Sequence, residues 1–257
     1  MNLFDLSGKV AVITGSSRGI GCAIAKAMAA QGAKVVVSSR NADACQMVAD
    51  EINADHPGAA FVIAASISSK AALEELVVGA RAHFGRIDIL VCNAATNPYY
   101  GPMSGISDDQ FRKILENNVM SNHWLIQMVA PEMRARREGS IIVISSIGGL
   151  TATTTIGAYN VSKAADMQLA RNLAAEFGMD GVTVNCIAPG LVRTDFARAL
   201  WENPETLSKL AHSAALKRIG EPHEIAGAAV FLAAPAGKFV TGQVIVVDGG
   251  ITVAGIN

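Results

Sequence analysis

Seven short runs rich in β-branched residues recur along the chain, at 9–14, 34–38, 60–64, 87–92, 140–145, 183–188 and 243–247, and alanine-rich segments of helical period separate most of them. No other feature constrains the fold as strongly. The runs are apolar throughout instead of alternating with polar residues, which is the pattern of strands buried on both faces. Helices are predicted at 19–31, 41–54, 69–84, 107–137 with a break near Asn118, 157–178 and 221–234. Strand followed by helix, repeated in this way, predicts an α/β fold in which a doubly wound parallel sheet of seven strands carries helices on both faces. Nothing in 1–257 reads as a linker or an internal repeat, so one domain is expected, and about 250 residues is within the range of a single α/β unit. Residues 191–217 are apolar but poorly periodic, and read either as a segment covering a site or as a surface helical hairpin.

The first run leads directly into Thr14-Gly15-Ser16-Ser17-Arg18-Gly19-Ile20-Gly21 and then an alanine-rich helix. Glycines in a tight turn at a helix N-terminus present free N–H groups and the positive end of the helix dipole, which together attract a pyrophosphate. Glycines also serve plain turns, and the spacing here is GxxxGxG; its position after the first strand of an α/β chain is what favours a Rossmann-type dinucleotide site. An NAD site of this kind usually carries a carboxylate at the end of the second strand to hold the ribose hydroxyls. Here that place reads Val37-Ser38-Ser39-Arg40. A guanidinium pairs bidentately with phosphate, so Arg40, with Arg18 approaching from the glycine turn, suits the 2′-phosphate of NADP. NADP(H) is therefore favoured over NAD(H), against the plainer reading of Arg40 as a solvated residue opening the next helix.

Tyr159 and Lys163 stand four residues apart at the start of the predicted helix 157–178, hence on one face. A phenol titrates near pH ~10, and a neighbouring ammonium favours the phenolate, so the pair forms an acid/base candidate whose pKa is expected to move toward neutrality. The spacing alone is common. Ser145 and Ser146 at the end of the preceding strand, and the glycine turn earlier in the chain, give it a chemical setting.

Taken in order, the glycine turn, Asn93-Ala94-Ala95, Asn118, the serine pair, Tyr159, Lys163 and Pro189-Gly190 with Thr194 resemble the short-chain dehydrogenase/reductase family over essentially the whole chain. The resemblance implies a catalytic set of Asn118, Ser146, Tyr159 and Lys163, the family's usual separation from the tyrosine selecting Ser146 over Ser145. It implies cofactor contacts from Gly15, Ser17, Arg18, Gly19, Ile20, Gly21, Ser39, Arg40, Asn93, Ala94, Tyr159, Lys163, Pro189, Gly190, Val192 and Thr194, the threonine engaging the carboxamide. In the reduction direction Tyr159 would donate a proton to the carbonyl oxygen as hydride leaves the nicotinamide, while Ser146 hydrogen-bonds that oxygen. Lys163 would lower the phenol pKa and hold the nicotinamide ribose, and a helix kink at Asn118 would hold a water linking Lys163 to solvent. Two positions depart from the family pattern: Ala95 replaces a usual glycine, and Ser66-Ile67 stands where many members carry an aspartate facing the adenine.

The stretches 96–106, 147–156 and the segment from Asp195 onward are expected to line a substrate pocket, and Tyr99, Tyr100, Met103, Ile147, Leu150, Phe196, Leu200 and Trp201 make them apolar. A small hydrophobic ketone or aldehyde, or the corresponding alcohol, fits best. The run from Asn93 to Gly101 and the Ala199-Leu200-Trp201 triplet are similar to the NADPH-dependent carbonyl/retinal reductase branch of the family. The competing readings are a 3-oxoacyl carrier-protein reductase, which would need basic docking residues such as Arg134, Arg136 and Arg137, an NAD-linked secondary alcohol dehydrogenase, and a non-catalytic NADP sensor.

Charge and cysteine use narrow the partners. With 21 basic against 22 acidic residues the chain lacks the electrostatic footprint of a nucleic-acid binder. Four scattered cysteines and five histidines without ligand spacing predict reduced thiols and no metal. The N-terminus runs straight into a strand, and the longest uncharged stretch is rich in Ser, Thr and Gly, so neither a signal peptide nor a membrane span is expected. That branch often ends in a peroxisomal tripeptide, whereas this chain ends Gly255-Ile256-Asn257; a cytoplasmic location is expected. The resemblance further implies a homotetramer joined partly through the helices at about 121–137 and 157–178, with Gly249-Gly250 resembling the turn before a second contact.

Overall fold

The computed structural model describes residues 2–254, so the C-terminal tripeptide 255–257 lies outside the described residues. Seven parallel strands, β1 (Val10–Thr14), β2 (Lys34–Ser38), β3 (Ala60–Val62), β4 (Ile89–Cys92), β5 (Gly139–Ile144), β6 (Val182–Pro189) and β7 (Val244–Val247), form one sheet in the order 3-2-1-4-5-6-7. The order reverses between β1 and β4, and in open sheets of this kind ligands bind outside the carboxyl ends of the strands at such a switch point.

Strand residues alternate between two cores. Ile13, Val37, Val91 and Ile142 face a layer formed with helices α1 (Gly19–Ala30), α2 (Ala42–Asp55) and α9 (Pro222–Ala233). Val12, Val36, Leu90 and Val143 face the opposite layer, built with α3 (Lys70–Phe84), α5 (Ser121–Arg136) and α6 (Gly157–Phe177). This two-sided burial is why the inner strands read as unbroken apolar runs. Both outermost strands are only partly covered, and β3 stops at Val62, short of the expected residue 64, since an edge strand has one pairing partner.

Local chemistry sets the helix ends. Asn41 and Ser69 cap α2 and α3 by accepting from Ala44 N at 3.0 Å and Ala72 N at 3.2 Å. Gly85, at φ +81°, closes α3 in the left-handed conformation that favours glycine. The predicted helix 107–137 is three pieces: α4 (Asp108–Leu115), a π-turn over Glu116–Met120, and α5. The expected break near Asn118 is thus a one-residue widening of the helix, a device common at functional sites. The segment 191–217, expected to be irregular, carries a 3-10 turn (Asp195–Ala197) and helices α7 (Arg198–Trp201) and α8 (Pro204–Ser213), the hairpin-like alternative.

Candidate active site

The glycine turn leaves β1 with Gly15 at φ +65° and enters α1 at Gly19, φ +57°. Its shape is enforced by close contacts. A Cβ on Gly21 would lie 2.5 Å from the Gly15 carbonyl oxygen and 2.5 Å from Asn93 Nδ2, so only glycine fits. Asn93, leaving β4, donates from Nδ2 to the carbonyls of Thr14 at 2.9 Å and Gly15 at 3.1 Å, and Thr14 Oγ1 accepts from the N–H groups of Asn93 and Ala94, both at 3.1 Å. Ser16, which the sequence did not single out, is fully buried: its Oγ donates to the Ile13 carbonyl at 2.7 Å and accepts from Ser38 N at 2.8 Å. The turn is therefore clamped to the ends of β2 and β4, and the bare backbone of Gly15, Gly19 and Gly21 leaves a cradle that side chains would fill. Ser17 and Ile20 are partly covered beside it. That cradle fits a pyrophosphate.

Register places the end of β2 beside the turn, because Thr14 pairs with Ser38. Ser39 is held by contacts to the Asn41 backbone and to Cys45 Sγ, at 3.2 Å from each of Asn41 N and the sulfur. Arg40 is exposed and makes no ion pair among the described residues. Arg18 points elsewhere than expected: its Nη1 lies 3.4 Å from Asp195 Oδ2, because the first carboxylate of the covering segment reaches it. Its side chain is 71% exposed, so this is a surface contact of small energy. On the far side of the switch point Pro189 and Gly190 end β6, and Val192 bridges to Gly220. A Cβ on Gly19 would meet Thr194 Cγ2 at 3.3 Å, which sets the glycine turn and Thr194 face to face. Ser66, near the third strand, is engaged with Ser68 at 2.8 Å.

The acid/base candidates gather at the carboxyl end of β5. Ser145 and Ser146 differ in role. Ser145 Oγ donates to the Lys163 carbonyl at 2.8 Å, whereas Ser146 Oγ accepts from Gly148 N at 3.1 Å and lies beside Tyr159. Tyr159 packs against Phe196 of the covering segment, ring centroids 6.0 Å apart, and Lys163 Nζ lies 5.7 Å from the centre of the tyrosine ring. Asn118, in the π-turn, accepts from Thr96 N at 2.8 Å and donates to the Thr96 carbonyl and to Ser162 Oγ, both at 3.0 Å. It thereby ties the loop after β4 to α6.

Two residues that the sequence reading passed over complete the cluster. Lys163 Nζ donates to the Ile144 carbonyl at 2.9 Å and to Asp166 Oδ2 at 3.0 Å, and Asp166 Oδ1 accepts from Asn122 Nδ2 at 3.0 Å. Asn122 Nδ2 also donates to the Asn118 carbonyl at 2.6 Å, the place where a solvent-linking water was expected. Their signal in the sequence is slight: a carboxylate three residues past Lys163 and an amide four past Asn118, each on the same helix face as its partner.

Burial disfavours the charged form of Lys163, but the adjacent Asp166 carboxylate overcomes this and holds the ammonium above its ordinary pKa. The expectation that Lys163 would bring the Tyr159 phenol toward neutrality is not met in this arrangement. Burial raises the phenol first of all and Asp166 adds to that, while Lys163 and the Ser146 hydrogen bond oppose; the phenol stands above its ordinary value. The physical reason is burial of the ring, the largest cause, with Asp166 offsetting part of the opposing effect of the ammonium.

The family profile described as Enoyl-(Acyl carrier protein) reductase matches residues 15–252. The Bos taurus protein Dehydrogenase/reductase SDR family member 4 is 40% identical over 248 residues, covering 95% of this chain and 88% of its own length. A 7α-hydroxysteroid dehydrogenase solved with NADH and 7-oxo glycochenodeoxycholic acid superposes with a TM-score of 0.93 at 39% identity, over 99% of this chain and 98% of that one. A gluconate 5-dehydrogenase from Burkholderia cenocepacia, solved with NADP and tartrate, gives a TM-score of 0.93 at 33% identity, over 99% of both chains.

Proposed function

Since the chain belongs to the short-chain dehydrogenase/reductase family, whose members are oxidoreductases acting on CH–OH and C=O groups, we propose that it works on small hydrophobic carbonyl compounds and their alcohols with NADP(H), using Tyr159 as acid/base. A nicotinamide dinucleotide, when bound, supplies or accepts the hydride. The observation that carries the reading is that Tyr159 and Lys163, beside Ser146 at the carboxyl end of β5, sit on the same parallel sheet as a glycine turn at the carboxyl end of β1 that faces Thr194.

The cradle of Gly15, Gly19 and Gly21, with Ser17, Ile20, Asn93 and Ala94, would hold the pyrophosphate end, and Pro189, Gly190, Val192 and Thr194 the nicotinamide end. Ser146 donates a hydrogen bond to the reacting oxygen and fixes its position, and Tyr159 gives that oxygen a proton in reduction or takes it in oxidation. Asn118 secures the loop after β4 against α6 and so holds the pocket wall. Arg40, exposed and without an ionic partner among the described residues, supports NADP over NAD, since a 2′-phosphate would find a guanidinium not already neutralised. The NADH-bound hydroxysteroid dehydrogenase, at 39% identity, is what favours the NAD-linked alternative.

An apolar substrate is supported by the pocket walls. The stretches 96–106 and 147–156 contain no Asp, Glu, Lys, Arg or His, and Phe196 lies over Tyr159. Docking of an acidic carrier protein finds less support: Arg134 is paired with Glu176 and Asp180, Arg136 with Asp88 and Glu132, and Arg137 with the Met179 carbonyl. The exposed apolar side chains of Phe239, Val246 and Val253 around β7 and the following Gly249-Gly250 turn support a homotetramer in which that edge is covered.

The deciding experiment measures initial rates with NADPH and NADH against diketones, aromatic ketones and long-chain aldehydes, with the Tyr159→Phe protein as blank. Faster turnover with NADPH on hydrophobic carbonyls supports the reading; preference for NADH, or for carrier-bound acyl substrates, overturns the corresponding part. Light scattering that finds a monomer at micromolar concentration overturns the tetramer.

A further inference from the structure

Asp166 is a carboxylate with no solvent exposure, paired with the buried ammonium of Lys163 beneath the site, and it has no assigned part in the proposed chemistry. We propose that Asp166, anchored by Asn122, is a positioning residue that offsets the Lys163 charge beside Tyr159 and so moves the acid/base step of the site to higher pH, favouring carbonyl reduction near neutrality and alcohol oxidation in alkaline conditions.

The geometry is a closed chain of hydrogen bonds. Lys163 Nζ donates to Asp166 Oδ2 at 3.0 Å, Asp166 Oδ1 accepts from Asn122 Nδ2 at 3.0 Å, and the same amide nitrogen donates to the Asn118 carbonyl at 2.6 Å. Both carboxylate oxygens are therefore engaged, and both amide hydrogens of Asn122 are used. Lys163 is 2% exposed and Asp166 0%, so water does little to screen the pair. The remaining titratable groups that face the cluster are Tyr159 from α6 itself, Cys92 from β4 and Cys186 from β6, whose Sγ donates to the Asp166 carbonyl at 3.5 Å. Burial pushes the Cys186 thiol up to about 12, and it raises Cys92 as well, so both stay neutral through the working range. Arg171, one helical turn beyond, acts on Cys186 at longer range.

Charge counting gives the sign. With Asp166 ionised and Lys163 protonated, the cluster is neutral while Tyr159 keeps its proton, and losing that proton leaves a net negative charge in a buried place. Without Asp166 the protonated cluster is positive, and losing one proton from the Tyr159–Lys163 pair makes it neutral. Burial penalises the charged state in each case, so Asp166 moves the titration of the pair to higher pH. Above neutrality the phenol is then still an acid able to donate, which serves reduction; the base needed for oxidation forms only as the pH rises further.

The inference rests on Tyr159 being the acid/base, and the test separates the two. The pH dependence of kcat/KM for alcohol oxidation is measured for the parent chain, Asp166→Asn and Asn122→Ala, with Tyr159→Phe as the control for the underlying reading. The rise of oxidation with pH is expected to move down by about one pH unit or more in Asp166→Asn, the size of a close charge effect, and in the same direction by less in Asn122→Ala. A second readout needs no turnover. The chain has three tyrosines, so the ultraviolet phenolate titration of each variant, minus that of its Tyr159→Phe counterpart, reports Tyr159 directly. The midpoint is expected above that of a free phenol in the parent and lower in Asp166→Asn. An unmoved or upward-moved midpoint in Asp166→Asn overturns the proposal; should that variant not fold, Asn122→Ala decides it by the same criterion. Activity retained by Tyr159→Phe would instead overturn the acid/base assignment.

Discussion

Ser145 Oγ donates to the main-chain carbonyl of Lys163 at 2.8 Å, so the end of β5 is fastened to the helix that carries the acid/base pair. The neighbouring Ser146 turns the other way, toward Tyr159. Successive residues of an extended chain point to opposite sides, and this alternation separates the two hydroxyls into one that fastens β5 to α6 and one turned toward Tyr159.

Ser145→Ala is expected to lower stability by about 1 kcal/mol, the worth of a buried hydrogen bond, with kcat little changed. Ser146→Ala is expected to leave the melting temperature in place and to lower kcat by about 10²-fold, as for removal of a donor to a reacting oxygen. Thermal melts and steady-state kinetics on the two variants check both. Equal effects on kcat would contradict the division of roles.

Tyr159→Phe is expected to reduce turnover by about 10²- to 10⁴-fold, the range for loss of a positioned acid/base. Dinucleotide affinity should hold, because the phenol belongs to α6 and not to the glycine cradle. Isothermal titration with NADPH beside the kinetics tests the pair of outcomes.

Gly21→Ala places a Cβ 2.5 Å from the Gly15 carbonyl oxygen. The oxygen belongs to the turn itself and can move away only by deforming the cradle. Dinucleotide binding is expected to be lost, and the melting temperature to fall; binding retained at the parental affinity would show that the cradle is not the pyrophosphate site.

Arg40→Ala is expected to raise the KM for NADPH by about 10- to 100-fold, corresponding to about 1.5–3 kcal/mol for hydrogen bonds to a charged group, and to leave the KM for NADH unchanged. Arg18→Ala should do less, because that guanidinium already faces Asp195. A parallel rise for both cofactors would place Arg40 outside the phosphate site.

Lys163→Met leaves the Asp166 carboxylate buried without its ammonium, and the cost to stability is expected to be about 3–5 kcal/mol. The double variant Lys163→Met with Asp166→Leu should recover most of this. The pH dependence carries a defined sign: the folded lysine titrates above its unfolded value, so its contribution is complete below the unfolded pKa of about 10.4 and is lost as pH rises through the folded one. Denaturant titrations at neutral and strongly alkaline pH measure that difference, which Lys163→Met should lack.

The sheet, its seven strands and the break at Asn118 were legible in the chain because each depends on local pattern: apolar runs, helical period and a few glycines that no other residue can replace. Most of the site was legible for a related reason, since Tyr159 with Lys163, and Gly15 with Gly19 and Gly21, owe their proximity to spacing within one helix or one turn. The covering segment was harder. Its helices α7 and α8 are short, four and ten residues, and no long apolar stripe announces them.

The sequence by itself determined the α/β framework and the glycine turn after β1, which follow from periodicity and from conformations open only to glycine. Only the tertiary structure decided that Asn122 on α5 and Asp166 on α6 meet, that Ser16 locks the turn to β2, and that Arg18 faces Asp195. These contacts join residues far apart in the chain, and the strength of a charge or a hydrogen bond depends on the burial that packing creates around it.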